Sequence, residues 1–253
     1  MLNEYATNKI VNFINSKDGQ YCFDTANDFG VDPYLYIALM TGESSLDHEG
    51  TIPGGVNYNG YGVGISQLES PAGQKINAYN YTLNQNEFVY ETMENAIDKK
   101  KNIKIGIMRF QNILQKYHNN IYLALQSYNY GEGLIDLIIA IYADEMNITI
   151  NDVINNQTDI GWMKYVQEVY KNPNGFVQKE NIDWSRYSNY SLTIDYLKKW
   201  EFETYGNDEY IASILNYYIG IYSKNMLNDN ITYTNLVSME QIINKNNDIQ
   251  SIR

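Results

Sequence analysis

An apolar run that ends in a single carboxylic acid constrains the fold of this chain more than any other feature. Residues 34–40 are apolar or aromatic throughout, and the Asp-Pro pair at 32–33 supplies a good N-cap and first helical position. Tyr36, Met40 and Glu43 recur at offsets of four and three, which places them on one helical stripe. The pattern predicts a helix that carries Glu43 near its end.

Glu43 is therefore the first candidate for a catalytic residue. A carboxyl held against apolar side chains loses hydration, and this loss disfavours its charged form. A glutamate in that state can act as a general acid near neutral pH. A single Glu near a helix end is more often a solvated charge, so the assignment depends on the motifs that follow it.

Charge and hydropathy exclude several classes of partner. The formal net charge of −12 argues against binding to nucleic acid or to anionic membranes, since both require concentrated Lys and Arg. No apolar run is long enough for a membrane-spanning helix, so we expect no membrane insertion. A neutral polymer fits better. The 25 tyrosines would suit sugar rings, although an AT-rich genome would enrich tyrosine as well.

Cysteine and histidine are too few for several kinds of site. Cys22 is the single cysteine, so no intrachain disulfide or thiolate metal cluster can form. With only His48 and His118 present, a histidine metal site or a Cys-His nucleophilic pair has little material. We expect neither a metal nor a cofactor. The 253 residues are enough for one large domain, or for one domain with an appendage.

The rest of the chain reads as mainly helical around one irregular region. Glycines crowd residues 50–64, which predicts a turn-rich loop or small hairpin whose backbone approaches a ligand. A helical region is expected from Ile65 onward. Apolar spacing predicts further helices, and these cover residues 3–16, 24–29, 86–97, 103–117, 121–128, 195–204 and 208–222. The last ten residues, 244–253, look polar and frayed.

Four segments, read together in chain order, resemble the lytic transglycosylases with the goose-type lysozyme fold. The first is the Glu-Ser pair at residues 43–44, and the second is Gly-Ile-Ser-Gln at 64–67, in place of a Gly-Leu-Met-Gln-like motif. The third is Asn-Ile-Lys-Ile-Gly at 102–106, which matches Asn-Ile-x-x-Gly fully. The fourth is Ala-Leu-Gln-Ser-Tyr-Asn-Tyr-Gly at 124–131. The resemblance covers roughly residues 20–170.

The resemblance implies a mainly α, lysozyme-like α+β fold, with a small Gly-rich hairpin or loop region lining the active-site cleft. A break in the pattern at Asn-Pro-Asn-Gly, residues 172–175, then predicts a catalytic domain over residues 1–175, followed by a helical extension over 176–253. In the family, one Glu protonates the bond between N-acetylmuramic acid and N-acetylglucosamine, then serves as base for the sugar's own 6-hydroxyl. The reaction forms a 1,6-anhydro product. The resemblance gives Glu43 the role of this acid and base.

The motifs also assign the substrate-binding residues. Tyr128 is expected to orient Glu43, while Gln67 and Asn129 contact acetamido groups or ring hydroxyls. Ser44 is the weakest binding assignment and supports the Glu43 backbone. Three further motif residues are read as structural: Asn102 as a helix cap, and Gly106 and Gly131 as sites of close helix approach.

The sequence departs from the family pattern at two positions. Ser66 replaces a usual Met, which alters an apolar wall, and Tyr130 replaces a usual small Ala, where its ring could narrow the cleft or point away. The Tyr-Val pattern that closes the family domain has two candidates here. Residues 162–166 are favoured over residues 205–210.

Two rival functions remain open on the sequence alone. A lysozyme-type hydrolase would need a second carboxylate. The candidates are Asp47, Glu49 and Glu69, although an Asp at the position of Asp47, just after a helix end, more often faces a loop than takes part in catalysis. A non-catalytic glycan-binding or tail module is disfavoured by the retention of Glu43 and of the Tyr-Asn pair at 128–129.

The later part of the chain adds aromatic residues and a biological setting. Five aromatics, which we expect mainly to pack an extra helical layer rather than to bind the cell wall, are Trp184, Tyr187, Tyr190, Tyr196 and Trp200. No signal peptide is visible at the first residues. This predicts a phage endolysin or virion-associated tail lysin, with peptidoglycan strands and other virion proteins as partners. A trimmed secreted bacterial enzyme would look the same.

Overall fold

The computed structural model describes residues 4–69, 71–156 and 161–223, and the predicted frayed end at 244–253 lies outside them. It is mainly helical with two small antiparallel hairpins, which confirms the predicted lysozyme-like fold class. The chain divides into two compact units. The first unit holds Met1–Asn112 and Ala212–Arg253, and the second unit holds Ile113–Ile211.

The helices and strands follow in chain order. The helices are α1 (Glu4–Ile14), α2 (Lys17–Asp28), α3 (Pro33–Ser44), α4 (Met93–Ile97), α5 (Lys99–Lys116), α6 (Ile121–Tyr130), α7 (Glu132–Met146), α8 (Ile150–Asn155), α9 (Met163–Lys171), α10 (Pro173–Phe176), α11 (Ser191–Lys198) and α12 (Tyr210–Ser223). Short 3-10 helices lie at Glu49–Thr51 and Trp184–Tyr190, the second with a kink at Tyr187. The strands are β1 (Gly62–Val63), β2 (Leu68–Glu69), β3 (Ala72–Asn80) and β4 (Gln85–Thr92).

Helix α3 forms as its sequence predicts. The Asp32 carboxylate accepts hydrogen bonds from the backbone N–H groups of Tyr34 and Leu35, at 2.8 and 3.2 Å. Pro33 takes the first helical position, where its missing N–H has no consequence. The helix ends at Ser45, whose left-handed backbone lets its N–H bond the Thr41 carbonyl.

Two predicted helices are wrong, and a third, predicted over residues 195–204, is helical only as far as Lys198. The stretch from Ile65 forms the turn and second strand of the β1–β2 hairpin, and Asn86–Thr92 lies in strand β4, so that only Met93–Ile97 of that predicted helix is helical. Strand β4 pairs with β3 across a turn in which Asn84 has a φ of +52°. Phe88 and Tyr90 lie on the exposed face of this hairpin. Their spacing of two residues is that of a strand, and it was mistaken for a helix because the turn between β3 and β4 was not recognised.

The second unit is a set of helices around α6 and α7, both of which are largely buried. The side chain of Asn120 caps α6 by accepting from the Leu123 N–H at 3.3 Å, and its amide donates to the Ile154 carbonyl at 3.0 Å. Thr149 and Asp152 form a capping box at the start of α8. In the part of the chain that the structure describes, no helix is both long and apolar enough to cross a membrane.

Helix α12 packs within the first unit although it comes late in the chain. The Tyr218 hydroxyl donates to the Asp32 carboxylate at 2.6 Å, so α12 holds the residue that caps α3. A Cβ added to Gly42 would lie 2.3 Å from Ile214 Cδ1, which shows how closely α12 approaches α3. The compact units therefore divide the chain at 112 and 211, whereas the functional boundary at residue 175 stays a prediction.

We expect Ile214→Ala to lower the free energy of unfolding by about 2–4 kcal/mol, because it empties a fully buried site between α12 and α3. Chemical denaturation followed by circular dichroism measures this loss. The matched control is Leu192→Ala, since Leu192 is 86% exposed and its removal should cost less than about 0.5 kcal/mol. Equal losses in the two variants would contradict the packing of α12.

Candidate active site

Glu43 lies half-buried in the last turn of α3, on the same helical stripe as the fully buried Tyr36 and Met40. The next residue, Ser44, is buried and donates from its hydroxyl to the Ile65 carbonyl at 2.8 Å, with the Met40 carbonyl also within 3.1 Å. This hydrogen bond joins the end of α3 to the turn of the β1–β2 hairpin. The hydroxyl of Ser44 is thus engaged with backbone, which favours a positioning role over contact with substrate.

The turn that carries Gln67 is held in place by buried hydrogen bonds. The Tyr36 hydroxyl donates to Ser66 Oγ at 2.8 Å, and the Ser66 N–H donates to Asn102 Oδ1 at 2.9 Å. Gln67 follows with a φ of +48° and is half-buried, and its amide donates to the Gly64 carbonyl at 2.8 Å. Segments adjoining Glu43 and Gln67 are therefore fixed to each other within the first unit.

Asn102 anchors this turn and is not a helix cap, which corrects the prediction. It is fully buried, and its amide nitrogen donates to the carbonyls of Val63 and Ala96, both at 2.8 Å. The cap of α5 is instead Asp98, whose carboxylate accepts from the Lys101 N–H at 2.9 Å. Asn is required at position 102 because one side chain must both donate twice and accept once.

His48 adds a second anchor that the sequence did not indicate. Its Nδ1 lies 3.1 Å from the Ile65 N–H nitrogen, and its Nε2 lies 2.9 Å from the Ile97 carbonyl. Since the backbone N–H can only donate and the carbonyl can only accept, Nδ1 accepts from Ile65 and Nε2 donates to Ile97. The imidazole therefore connects the loop after α3, the hairpin turn and the end of α4.

Two motif glycines, Gly64 and Gly106, allow the close approach of these elements. The same prediction is wrong for Gly131, where an added Cβ meets nothing within 4 Å and the backbone instead has a φ of +82°. Gly64 has a φ of +72°, and a Cβ there would lie 2.4 Å from the Asn102 amide nitrogen. A Cβ on Gly106 would lie 2.0 Å from the Tyr36 hydroxyl and 2.7 Å from the Ser66 Cβ. Ser66, the departure from the family motif, is thus fully buried between α3 and α5, and it faces Tyr36 rather than a substrate cleft.

The three candidates for a second carboxylate are either bonded within a loop or exposed to solvent, whereas Glu43 is half-buried in a helix. Asp47 accepts from the Gly50 N–H at 3.0 Å and from the Asn57 amide at 2.9 Å, and these hydrogen bonds lower the pKa of its carboxyl. Its role is to shape the loop. Glu49 and Glu69 are exposed. Among residues 4–69, 71–156 and 161–223, no group of three or more His, Cys, Asp or Glu side chains could hold a metal ion.

Glu91 is a buried carboxyl that sequence reasoning missed because its strand was read as a helix. It is 1% exposed on β4 and forms an ion pair with Arg109 of α5. Burial raises its pKa, the Arg109 guanidinium opposes that rise, and the charge of Glu69 adds to it. Glu87, Val89 and Glu91 alternate with the aromatic residues Phe88 and Tyr90. This period of two is the sequence signal that would have predicted a strand with Glu91 on one face.

We expect Arg109→Met to destabilise the protein by about 2–3 kcal/mol at pH 8, because it leaves the buried Glu91 charge without its partner. A carboxyl with a raised folded-state pKa binds its proton more tightly in the folded protein. Stability is therefore greatest below the unfolded pKa and falls as pH rises through the folded pKa. The loss should be smaller at pH 4, which denaturation at both pH values measures. Adding Glu91→Gln should remove most of the pH dependence, and a pH-independent loss would contradict the assignment.

Tyr128 and Asn129 lie half-buried near the end of α6, in the second unit. The Asn129 amide donates to the Asn207 carbonyl at 2.9 Å. Tyr130, the second departure from the family motif, is buried with its ring 5.8 Å from that of Tyr205, and a Cβ on Gly206 would lie 2.8 Å from it. Its bulk is thus accommodated inside the second unit. The approach of Tyr128 and Asn129 to Glu43 stays a prediction.

Both candidates for the closing Tyr-Val pattern lie in the second unit. Trp162, Tyr165 and Val166 are buried at the start of α9. Residues 205–209 form an irregular loop that leads into α12. Of the five later aromatics, Trp184 packs with its ring centroid 6.2 Å from that of buried Tyr187, as predicted. Tyr196 and Trp200 instead pack against each other in a more exposed cluster.

The family model of the transglycosylase SLT domain matches residues 20–149, slightly more than half of the chain. The chain therefore belongs to this family, whose members act on the glycan strands of peptidoglycan and cleave glycosidic bonds there. The match contains all five predicted site residues, from Glu43 to Asn129. Comparisons with curated proteins and with solved structures find no significant match.

Proposed function

We propose that this protein is a lytic transglycosylase that cleaves the β-1,4 bond between N-acetylmuramic acid and N-acetylglucosamine, with a 1,6-anhydro product. Glu43 is the general acid and then the general base. The observation that carries the proposal is the hydrogen bond from Ser44 to the Ile65 carbonyl. It fixes a half-buried acid beside a turn whose next polar side chain, Gln67, suits an acetamido group.

The reaction needs one proton carrier. Glu43 gives its proton to the glycosidic oxygen as the bond from that oxygen to C1 of the muramic acid breaks. The carboxylate that results takes the proton of the same sugar's 6-hydroxyl, whose oxygen forms the new bond to C1. The Glu43 proton is thereby restored and no water is consumed. The attacking hydroxyl is already part of the bound sugar, so proximity supplies much of the acceleration.

The other predicted residues bind or position. Gln67 and Asn129 offer amide groups that can pair with the acetamido groups of the sugars. By its place in the family motif, Tyr128 is the residue that we propose to orient the catalytic carboxyl. Ser44 acts through the backbone, since its hydroxyl is bonded to Ile65. We propose the bacterial cell wall as the place of action, where phage endolysins and tail lysins also work.

A single-acid mechanism is supported by the surroundings of the remaining carboxyls. Asp47 is committed to its loop by the Gly50 N–H and the Asn57 amide. Glu49 and Glu69 are exposed. None of these groups is needed when the nucleophile is the sugar's own hydroxyl.

Release of soluble fragments from dye-labelled peptidoglycan tests the proposal. We expect the unmodified protein to release dye, and Glu49→Gln and Glu69→Gln to keep at least about half of that rate, because surface charges of this kind seldom matter to chemistry. A hundredfold loss in either variant would replace the single-acid mechanism with a two-carboxylate hydrolase. No release by the unmodified protein, with the wall still bound, would favour a binding module.

A further inference from the structure

A partly exposed group of aromatic rings spans the end of α11 and the loop after it, outside the residues matched by the family. The ring centroid of Trp200 lies 5.7 Å from that of Tyr196, 5.2 Å from Phe202 and 4.7 Å from Tyr205. Phe202 is 61% exposed and Tyr196 is 52% exposed. We call these four residues the aromatic cluster. Trp200 and Tyr205 are half-buried beneath these two exposed rings, and exposed aromatic rings that adjoin in one short segment are typical of an interaction surface.

The backbone of the aromatic cluster is fixed by hydrogen bonds. The indole N–H of Trp200 donates to the Thr204 carbonyl at 2.9 Å, and the Trp200 carbonyl accepts from the Asn174 amide at 2.8 Å. The Tyr205 N–H donates to the Tyr170 carbonyl at 3.1 Å. A surface held in this way loses little conformational entropy when a ligand binds.

The same segment is bonded to the Tyr-Asn motif of α6. Asn207, two residues after the cluster, accepts from the Asn129 amide at 2.9 Å. The Tyr205 hydroxyl donates to the Tyr130 carbonyl at 3.2 Å. All these residues belong to the second unit, so the cluster and the motif form one continuous structure within it.

We propose that the aromatic cluster is an additional subsite that binds N-acetylhexosamine rings of a glycan strand engaged at the Tyr-Asn motif. Tyr and Trp combine an apolar face with a polar atom, as do sugar rings, which present C–H groups on one face and hydroxyls at the edge. Glu201 and Glu203 flank Phe202 and are exposed. Their carboxylates can accept hydrogen bonds from sugar hydroxyls. The inference rests on the proposed function, which supplies the glycan strand.

Binding is tested with the hexamer of β-1,4-linked N-acetylglucosamine, measured by calorimetry on full-length Glu43→Gln so that no turnover occurs. Adding Tyr196→Ala and Phe202→Ala should weaken hexamer binding by about tenfold. The matched control is Phe88→Ala on the same background, since Phe88 is 57% exposed but lies on the β3–β4 hairpin of the first unit. It should change the affinity by less than about twofold.

Tryptophan fluorescence gives an independent readout that does not rely on truncating the cluster. The hexamer should change the emission of Glu43→Gln, and Trp200→Phe should remove that change, because Trp162 is fully buried and Trp184 packs against Tyr187. On the active protein, the paired alanine substitutions should raise KM for peptidoglycan about tenfold and leave kcat within about twofold.

The outcomes separate this inference from the proposed function. Hexamer affinity that is unchanged by the two alanine substitutions, in a protein with an unaltered circular dichroism spectrum, overturns the subsite even if Glu43-dependent release of wall fragments is seen. Hexamer binding that depends on the cluster, in a protein that releases no wall fragments, supports the subsite and refutes the transglycosylase activity.

Discussion

Glu43→Gln should reduce the rate of peptidoglycan solubilisation by at least about a thousandfold. Removal of a general acid–base group costs about 10²–10⁴ in rate, and here one group serves both proton transfers. Gln is nearly isosteric with Glu and can still donate a hydrogen bond, but it cannot give up a proton to the leaving oxygen. The comparison of initial rates on labelled peptidoglycan measures the loss.

The fold and glycan binding of this variant should survive. Glu43 is half-buried at the end of a helix whose cap and packing involve other side chains, so circular dichroism and thermal unfolding should match the unmodified protein. Glu43→Asp is the informative companion, because it keeps the carboxyl and withdraws it by one methylene. It should retain more activity than Glu43→Gln, and activity within tenfold of normal in Glu43→Gln would remove Glu43 from the mechanism.

Asn102→Ala should lower the free energy of unfolding by about 3–5 kcal/mol. The change leaves the Ser66 N–H and the carbonyls of Val63 and Ala96 without their buried partner, and each such group costs about 1–3 kcal/mol. The three costs overlap, because the hairpin turn can relax towards water. Denaturation gives the global loss, and faster hydrogen exchange at the Ser66 amide would locate it in the turn.

Asn112→Ala is the matched control on the same helix. Asn112 donates one hydrogen bond to the Asn77 carbonyl at 2.8 Å and is half-buried, so its loss should cost about 1 kcal/mol. Asn102→Ala should also lower the activity more than Asn112→Ala does, since Asn102, unlike Asn112, is bonded to the turn that carries Gln67. Similar stability and activity in the two variants would mean that the turn does not depend on Asn102.

The features that sequence could predict are those set by neighbouring residues. Asp32 and Pro33 start α3 because a carboxylate at the N-cap and a proline at the first position act within three residues. The end of α3 at Glu43 and Ser44 follows from the same local pattern. Family resemblance then connected four short motifs, and the family match over residues 20–149 confirms the predicted family.

The features that sequence missed depend on contacts across the chain. Phe88 and Tyr90 looked helical because their partners on β3 lie across a turn, and a strand with one exposed face needs that pairing to be recognised. Asn102 looked like a cap, yet its partners Val63 and Ser66 are more than thirty residues away. Nothing local to Glu91 points to Arg109, and a helix as late as α12 gives no sign that it reaches Asp32.

The measurement that tests the central claim most directly is mass spectrometry of muropeptides released from purified peptidoglycan in water enriched in ¹⁸O. A transglycosylase that uses the sugar's own hydroxyl should yield 1,6-anhydro ends that carry no ¹⁸O. A hydrolase would yield reducing ends that are heavier by one water and carry one ¹⁸O atom. Unlabelled anhydro ends that disappear with Glu43→Gln would establish the mechanism, and labelled reducing ends would contradict it.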